Sequence, residues 1–196
     1  MRAEDCVFET AAGQAGYFTA AQAHECGYSW ALLSYHATNG RFIRTRRGLY
    51  RLRQYPSAPR EEVVAAWLAA GPDAVVSHES ALDLLDLADI IPDSIHVTVA
   101  RVRRSLRRQP GVTLHTATQP PEGDEVVTRY GIRVTSAART ILDTAQSGVA
   151  PDQVVQAVRQ ALERGLVSRD RLMAAARDRG GTVERLIATA LKEGQT

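Results

Sequence analysis

Stop signals crowd the first fifty residues of this chain. Glycine stands at 13, 16, 27, 40 and 48, so this part must fold as short pieces joined by tight turns. The pieces read as helices. Residues 4–13 predict a first helix with Val7, Phe8 and Ala11 on one side. Thr19 suits the cap of a second helix over 20–26, because its hydroxyl can accept from a first-turn N–H that lacks a partner inside the helix. Gly27 closes that helix, Ser29 caps a third, and the third runs to about Asn39 with Gly40 beyond its end. Two short helices joined by so brief a turn have the spacing of a helix-turn-helix.

The next stretch, Arg41-Phe-Ile-Arg-Thr-Arg-Arg-Gly-Leu-Tyr-Arg-Leu-Arg53, changes character. Residues 42–45 and 49–52 are strand-prone, and Arg47-Gly48 supplies a turn between them. A hairpin placed directly after a helix-turn-helix is a wing. Residues 54–59 hold two prolines and lack periodicity, so they read as a linker.

Charge separates this part from the rest. The formal net charge is only +2 overall. Yet between Cys26 and Arg60 there is no Asp or Glu, while arginine stands at 41, 44, 46, 47, 51, 53 and 60. So one-sided a run with aromatics inside it favours a polyanionic partner. In the third helix, Leu32, Leu33, His36 and Ala37 form the expected inward stripe. Ser29, Trp30, Ser34, Tyr35 and Thr38 are the candidate DNA contacts on the other face, with Ala31 beside them. Arg41, Arg44, Arg46, Arg47 and Arg51 are the candidates for phosphates or a narrow minor groove.

Beyond the linker the pattern is mixed. A helix at 60–70 and a strand at 74–76 lead to a helix capped by Ser77. Residues 95–99 and 112–115 alternate as half-buried strands, and a hairpin over 125–135 turns near Tyr130-Gly131. Helices follow at 136–146, 151–164, 168–179 and 182–193, with Ser168 and Thr182 as caps. The fold class is α+β: a winged helix-turn-helix over 1–55, then a mixed α/β domain over 60–196 with a helical C-terminal tail.

Chemistry-bearing residues in the second region invite bland readings. Ser77-His78-Glu79-Ser80 resembles hydrolase chemistry only superficially, since neighbours at a helix start are not expected to face each other and no Gly-x-Ser-x-Gly elbow is present. His78, His96 and His115 are scattered in sequence, without a carboxylate or thiolate pattern, and no metal site is expected from them. Arg139 and Asp143 are four apart, the spacing of a structural ion pair. A second acid-free basic cluster, Arg101, Arg103, Arg104, Arg107 and Arg108, is a candidate contact for flanking DNA or for a protein partner. Cys6 and Cys26 read as free thiols in a reducing cytoplasm. No signal peptide or membrane-spanning run is apparent, and no cofactor or enzymatic activity is expected.

Several segments resemble one family. Gly16-Tyr-Phe-Thr-Ala-Ala-Gln22, Leu33-Ser-Tyr-His36, Gly40-Arg-Phe-Ile-Arg44 and Arg47-Gly-Leu-Tyr-Arg-Leu52 are similar to the winged helix of AbiEi-type antitoxins, from AbiE (type IV) toxin–antitoxin pairs. The resemblance continues through Val76-Ser-His-Glu-Ser-Ala-Leu82, Ile95-His-Val-Thr-Val99, Gly131-Ile-Arg-Val-Thr135 and Ala138-Arg-Thr-Ile-Leu-Asp143. It implies a cytoplasmic antitoxin whose first domain binds double-stranded promoter DNA and represses its own operon. It also implies a second domain that neutralises a cognate nucleotidyltransferase-like toxin, with self-association on DNA repeats as a further expectation. The alternative is a stand-alone repressor with a dimerisation or ligand-binding C-terminal domain.

Overall fold

The computed structural model describes residues 2–106 and 109–193. The chain divides into two compact units, residues 1–74 with 130–132 and residues 75–129 with 133–196.

In the first unit, α1 (Ala3–Ala12) buries Val7 and Ala11. Phe8 does not join them and is 57% exposed, because one residue past Val7 it lies about 100° round the helix. Strand β1 (Tyr17–Thr19) then leads into α2 (Ala20–Glu25). Thr19 both ends the strand and caps the helix: its Oγ1 accepts from Gln22 N, while its own N–H donates to Gln22 Oε1. After the turn at Gly27, α3 (Trp30–Thr38) starts with Ser29 Oγ accepting from Leu32 N at 3.1 Å. Leu33 is buried, but Leu32 is exposed at 38%, so the inward stripe is narrower than expected.

The wing strands are β2 (Phe42–Arg46) and β3 (Leu49–Leu52). They form an antiparallel sheet in the order β1-β3-β2. The β2–β3 register slips between Arg44 and Arg46, which oppose Tyr50 and Leu49. Phe18, from β1, anchors the core, edge-on to Phe42 at 5.0 Å and stacked on Tyr50 at 5.8 Å. Helix α4 (Glu61–Ala70) packs on β1 and β3, so the first unit extends past the proline-bearing 54–59 segment.

Cys6 and Cys26 are not free thiols. They are joined in a disulfide with Cα atoms 5.6 Å apart, which ties α1 to the C-terminal end of α2. Their distance along the chain concealed a proximity that the packing of these two helices creates.

The second unit opens with β4 (Val75–Val76) and α5 (His78–Leu84). Strands β5 (Ile95–Ala100), β6 (Val112–Ala117), β7 (Val126–Arg129) and β8 (Ile132–Thr135) complete a sheet in the order β6-β5-β4-β8-β7. β4 runs antiparallel to β5 and parallel to β8, and β5 runs parallel to β6. Leu82, Leu87, Ile141, Leu172 and Ile187 are fully buried in this unit. The helical tail comprises α6 (Ala137–Ser147), α7 (Pro151–Glu163), α8 (Arg169–Arg179) and α9 (Gly181–Glu193), with α9 packed on the other three. Ser168 caps α8 as expected, whereas Thr182 lies inside α9. Arg139 pairs with Asp143 at 2.9 Å, and Glu125 and Arg179 extend the pair into a network.

Ser77 precedes α5 without capping it through its side chain. Its hydroxyl is taken instead by Thr98 Oγ1 at 2.7 Å and His78 Nδ1 at 2.9 Å.

Candidate nucleic-acid interface

Helix α3 and the β2–β3 wing carry the proposed contact residues within one unit. Leu33 seats α3 on the core, which turns the opposite face outward. Trp30 is 66% exposed and Tyr35 60%, with Ala31, Ser34 and Thr38 also exposed. These rings lie on the same short helix as the exposed hydroxyls. Trp30 is nonetheless held in place, its ring edge-on to His24 at 4.3 Å. The hydroxyls are partly committed. Ser29 caps the helix, and Thr38 donates to Ser34 O at 3.0 Å, which leaves acceptor capacity on Thr38.

The arginines sort into two groups. Arg44, Arg46 and Arg47 are exposed at the wing tip, and among the described residues no acid pairs with them. Arg41 and Arg51 are differently placed. Arg41 pairs with Glu4 of α1. The Arg51 side chain, only 11% exposed, lies 3.0 Å from Glu61 Oε2 and donates to Pro56 O. Neither acid is near in sequence, so a local count of charges could not reveal these pairs. As a free phosphate ligand Arg51 is a poor candidate, because it would first have to leave a half-buried carboxylate. Arg53, which the residue pattern did not single out, donates to Gly40 O and holds the end of α3 to the wing.

In the second basic cluster, Arg101–Arg103 form a single 3₁₀ turn. Arg101 and Arg104 are exposed and Arg103 is half-buried; Arg107 and Arg108 lie outside the described residues.

The Ser77-His78 pair departs from expectation. The two side chains do face each other, because His78 adopts φ 53°, a left-handed conformation that turns its ring back towards Ser77. Ser77 is fully buried, however, and its hydroxyl is shared with Thr98. Ser80 is 3% exposed and accepts the N–H of His96. Neither hydroxyl is presented to a substrate. Burial, followed by the charge of His115, pushes the His78 pKa down to about 4. Burial lowers His96 and His115 as well.

Residues 7–53 match the family model described as "Transcriptional regulator, AbiEi antitoxin". No curated protein matches the chain. Among solved structures, the chain is similar to the crystal structure of the RV2827C protein from Mycobacterium tuberculosis. That match has a TM-score of 0.59 at 13% identity and covers 98% of this chain and 77% of the other. At that identity the likeness is one of fold.

Proposed function

We propose, from the premise that the N-terminal domain belongs to the AbiEi antitoxin family of transcriptional regulators, that this protein binds promoter DNA and represses its own operon. In this reading α3 enters the major groove with Trp30, Ala31, Ser34, Tyr35 and Thr38 towards the bases, and Arg44, Arg46 and Arg47 hold phosphates beside it. One observation carries the reading. Three exposed arginines, without an acid partner among the described residues, stand on a wing that follows a helix with exposed aromatics and hydroxyls. Arg41 takes part only by exchanging Glu4 for a phosphate, and Arg51 serves the fold.

The second unit is assigned to neutralising a nucleotidyltransferase-like toxin encoded beside it, and the basic turn at 101–104 is a surface for that partner or for flanking DNA. Promoter binding places the protein in the cytoplasm. Among the described residues no helix is long and apolar enough to cross a membrane.

The test is binding to the DNA upstream of its own gene across a salt series. Replacing Arg44, Arg46 and Arg47 by Ala is expected to reduce the slope of log affinity against log salt by nearly three, about 0.9 for each phosphate that is no longer neutralised. An unchanged slope, or no binding at low salt, refutes the interface. Co-expression with the neighbouring reading frame then tests the second role: rescue from its toxicity supports an antitoxin, and a harmless neighbour leaves a stand-alone repressor.

A further inference from the structure

Three imidazoles that are far apart in sequence meet in the second unit. His96 on β5 and His115 on β6 lie on one face of the sheet, because the parallel register sets His96 beside Thr113 and Thr98 beside His115. This diagonal brings His96 Nδ1 to 3.0 Å from His115 Nε2. β4 pairs with β5 through Val76 and Val97 and runs straight into Ser77-His78, which delivers the third ring. His78 lies against His115, with ring centroids 3.6 Å apart. One nitrogen from each of the three rings falls within a sphere in which all pairs are closer than 4.8 Å.

We infer that His78, His96 and His115 form a binding site for a divalent zinc ion, with a fourth position open to water. The chemistry of the donors sets the metal. Three imidazoles without thiolate suit zinc and its borderline neighbours and not magnesium or calcium, which require oxygen ligands. The spacing is close to what is needed. Tetrahedral bonds of about 2.0–2.1 Å put ligand nitrogens roughly 3.3 Å apart, near the His96–His115 separation of 3.0 Å. Capture requires one ring of the His78–His115 stack to turn about its side-chain bonds, since parallel rings cannot both aim at one ion.

The surroundings are those of a metal site. Ser77 holds His78 Nδ1 and is itself held by Thr98, so the ring nitrogen left over is Nε2. His78 keeps its position at the cost of a left-handed backbone, a kind of strain concentrated at functional sites. Asp143, the acid whose charge is felt at both His78 and His115, is occupied by Arg139 and Arg179. Its carboxylate is therefore not free to fill the open position, and at His78 the charge of Arg139 opposes its own.

The experiment uses the untagged, metal-stripped full chain without reductant, so that Cys6 and Cys26 stay bonded to each other and cannot bind metal. Zinc alone is titrated in competition with a chromophoric chelator. One zinc per chain at micromolar affinity or tighter is expected, with no competition from millimolar magnesium. His96→Asn and His115→Asn should each weaken zinc at least about tenfold while the far-ultraviolet dichroism is retained. Cobalt substituted into the wild-type chain should give intense four-coordinate visible bands and three shifted, exchangeable imidazole N–H resonances, a readout that survives even if a variant fails to fold. Absence of stoichiometric zinc, zinc binding indifferent to both substitutions, or fewer than three shifted resonances overturns the site. None of these outcomes depends on DNA binding.

Discussion

At the scale of single residues, the division among the wing arginines is the informative result. Arg44, Arg46 and Arg47 could be picked from the sequence because exposure follows from their place at a hairpin tip. Arg51 could not be sorted from them, since its partner Glu61 sits ten residues away on a helix that packs back over β3. The two groups should behave oppositely. Arg51→Ala is expected to lower unfolding free energy by about 1–3 kcal/mol, because Glu61 loses its partner in a half-buried site. Affinity for DNA per folded molecule should keep its salt slope. Urea melts and a salt series on the same preparation check both halves, and a diminished slope with unchanged stability would return Arg51 to the DNA contacts. Leu32 and Phe8 teach the reverse lesson: both are apolar, both neighbour a buried residue, and both face water because only one side of so short a helix is covered.

Among the elements, those with strong punctuation were legible in advance. Caps at Thr19, Ser29 and Ser168 and the turns at Gly27, Gly40 and Gly48 all stand where the residue types require them. Strand β1 was not legible, being only three residues after a glycine, the last of them the helix cap, too few to show a period. The disulfide was hidden for a related reason, since nothing local to Cys6 or Cys26 reports that α1 crosses the end of α2. It has a measurable weight. Closing a loop over a separation of 20 residues restricts the unfolded chain by about 3 kcal/mol. Replacing both cysteines by serine should cost about that much in a denaturant melt, and adding reductant to the natural chain should do the same. A loss below about 0.5 kcal/mol would mean that the reduced unfolded chain is already restricted without the bond.

For the molecule as a whole, the sequence revealed the mixed character of the second unit but not its strand order, because pairings such as β4 with β8 join segments nearly sixty residues apart. The same long-range pairing assembled the histidine cluster, which is why three rings that look scattered in the chain are neighbours in space. The cluster imposes a pH dependence on the metal-free protein. The unfolded chain protonates its histidines near pH 6.5, whereas buried His78 resists until about 4. Stability complete above pH 6.5 should therefore fall as pH drops towards 4, by ~3 kcal/mol from this residue. His78→Asn, a residue that tolerates the left-handed backbone, should flatten that part of the curve in melts recorded from pH 7 to 4; an unchanged curve would locate the acid sensitivity elsewhere.

The irregularity in the wing has a last implication. In an unbroken strand, side chains two apart point the same way, and Arg44 and Arg46 would form a single file. Opposing Tyr50 and Leu49, consecutive residues of β3, they are instead sent to opposite sides of the ribbon. Positive charge at the tip is thus carried on both sides of the ribbon and not along one.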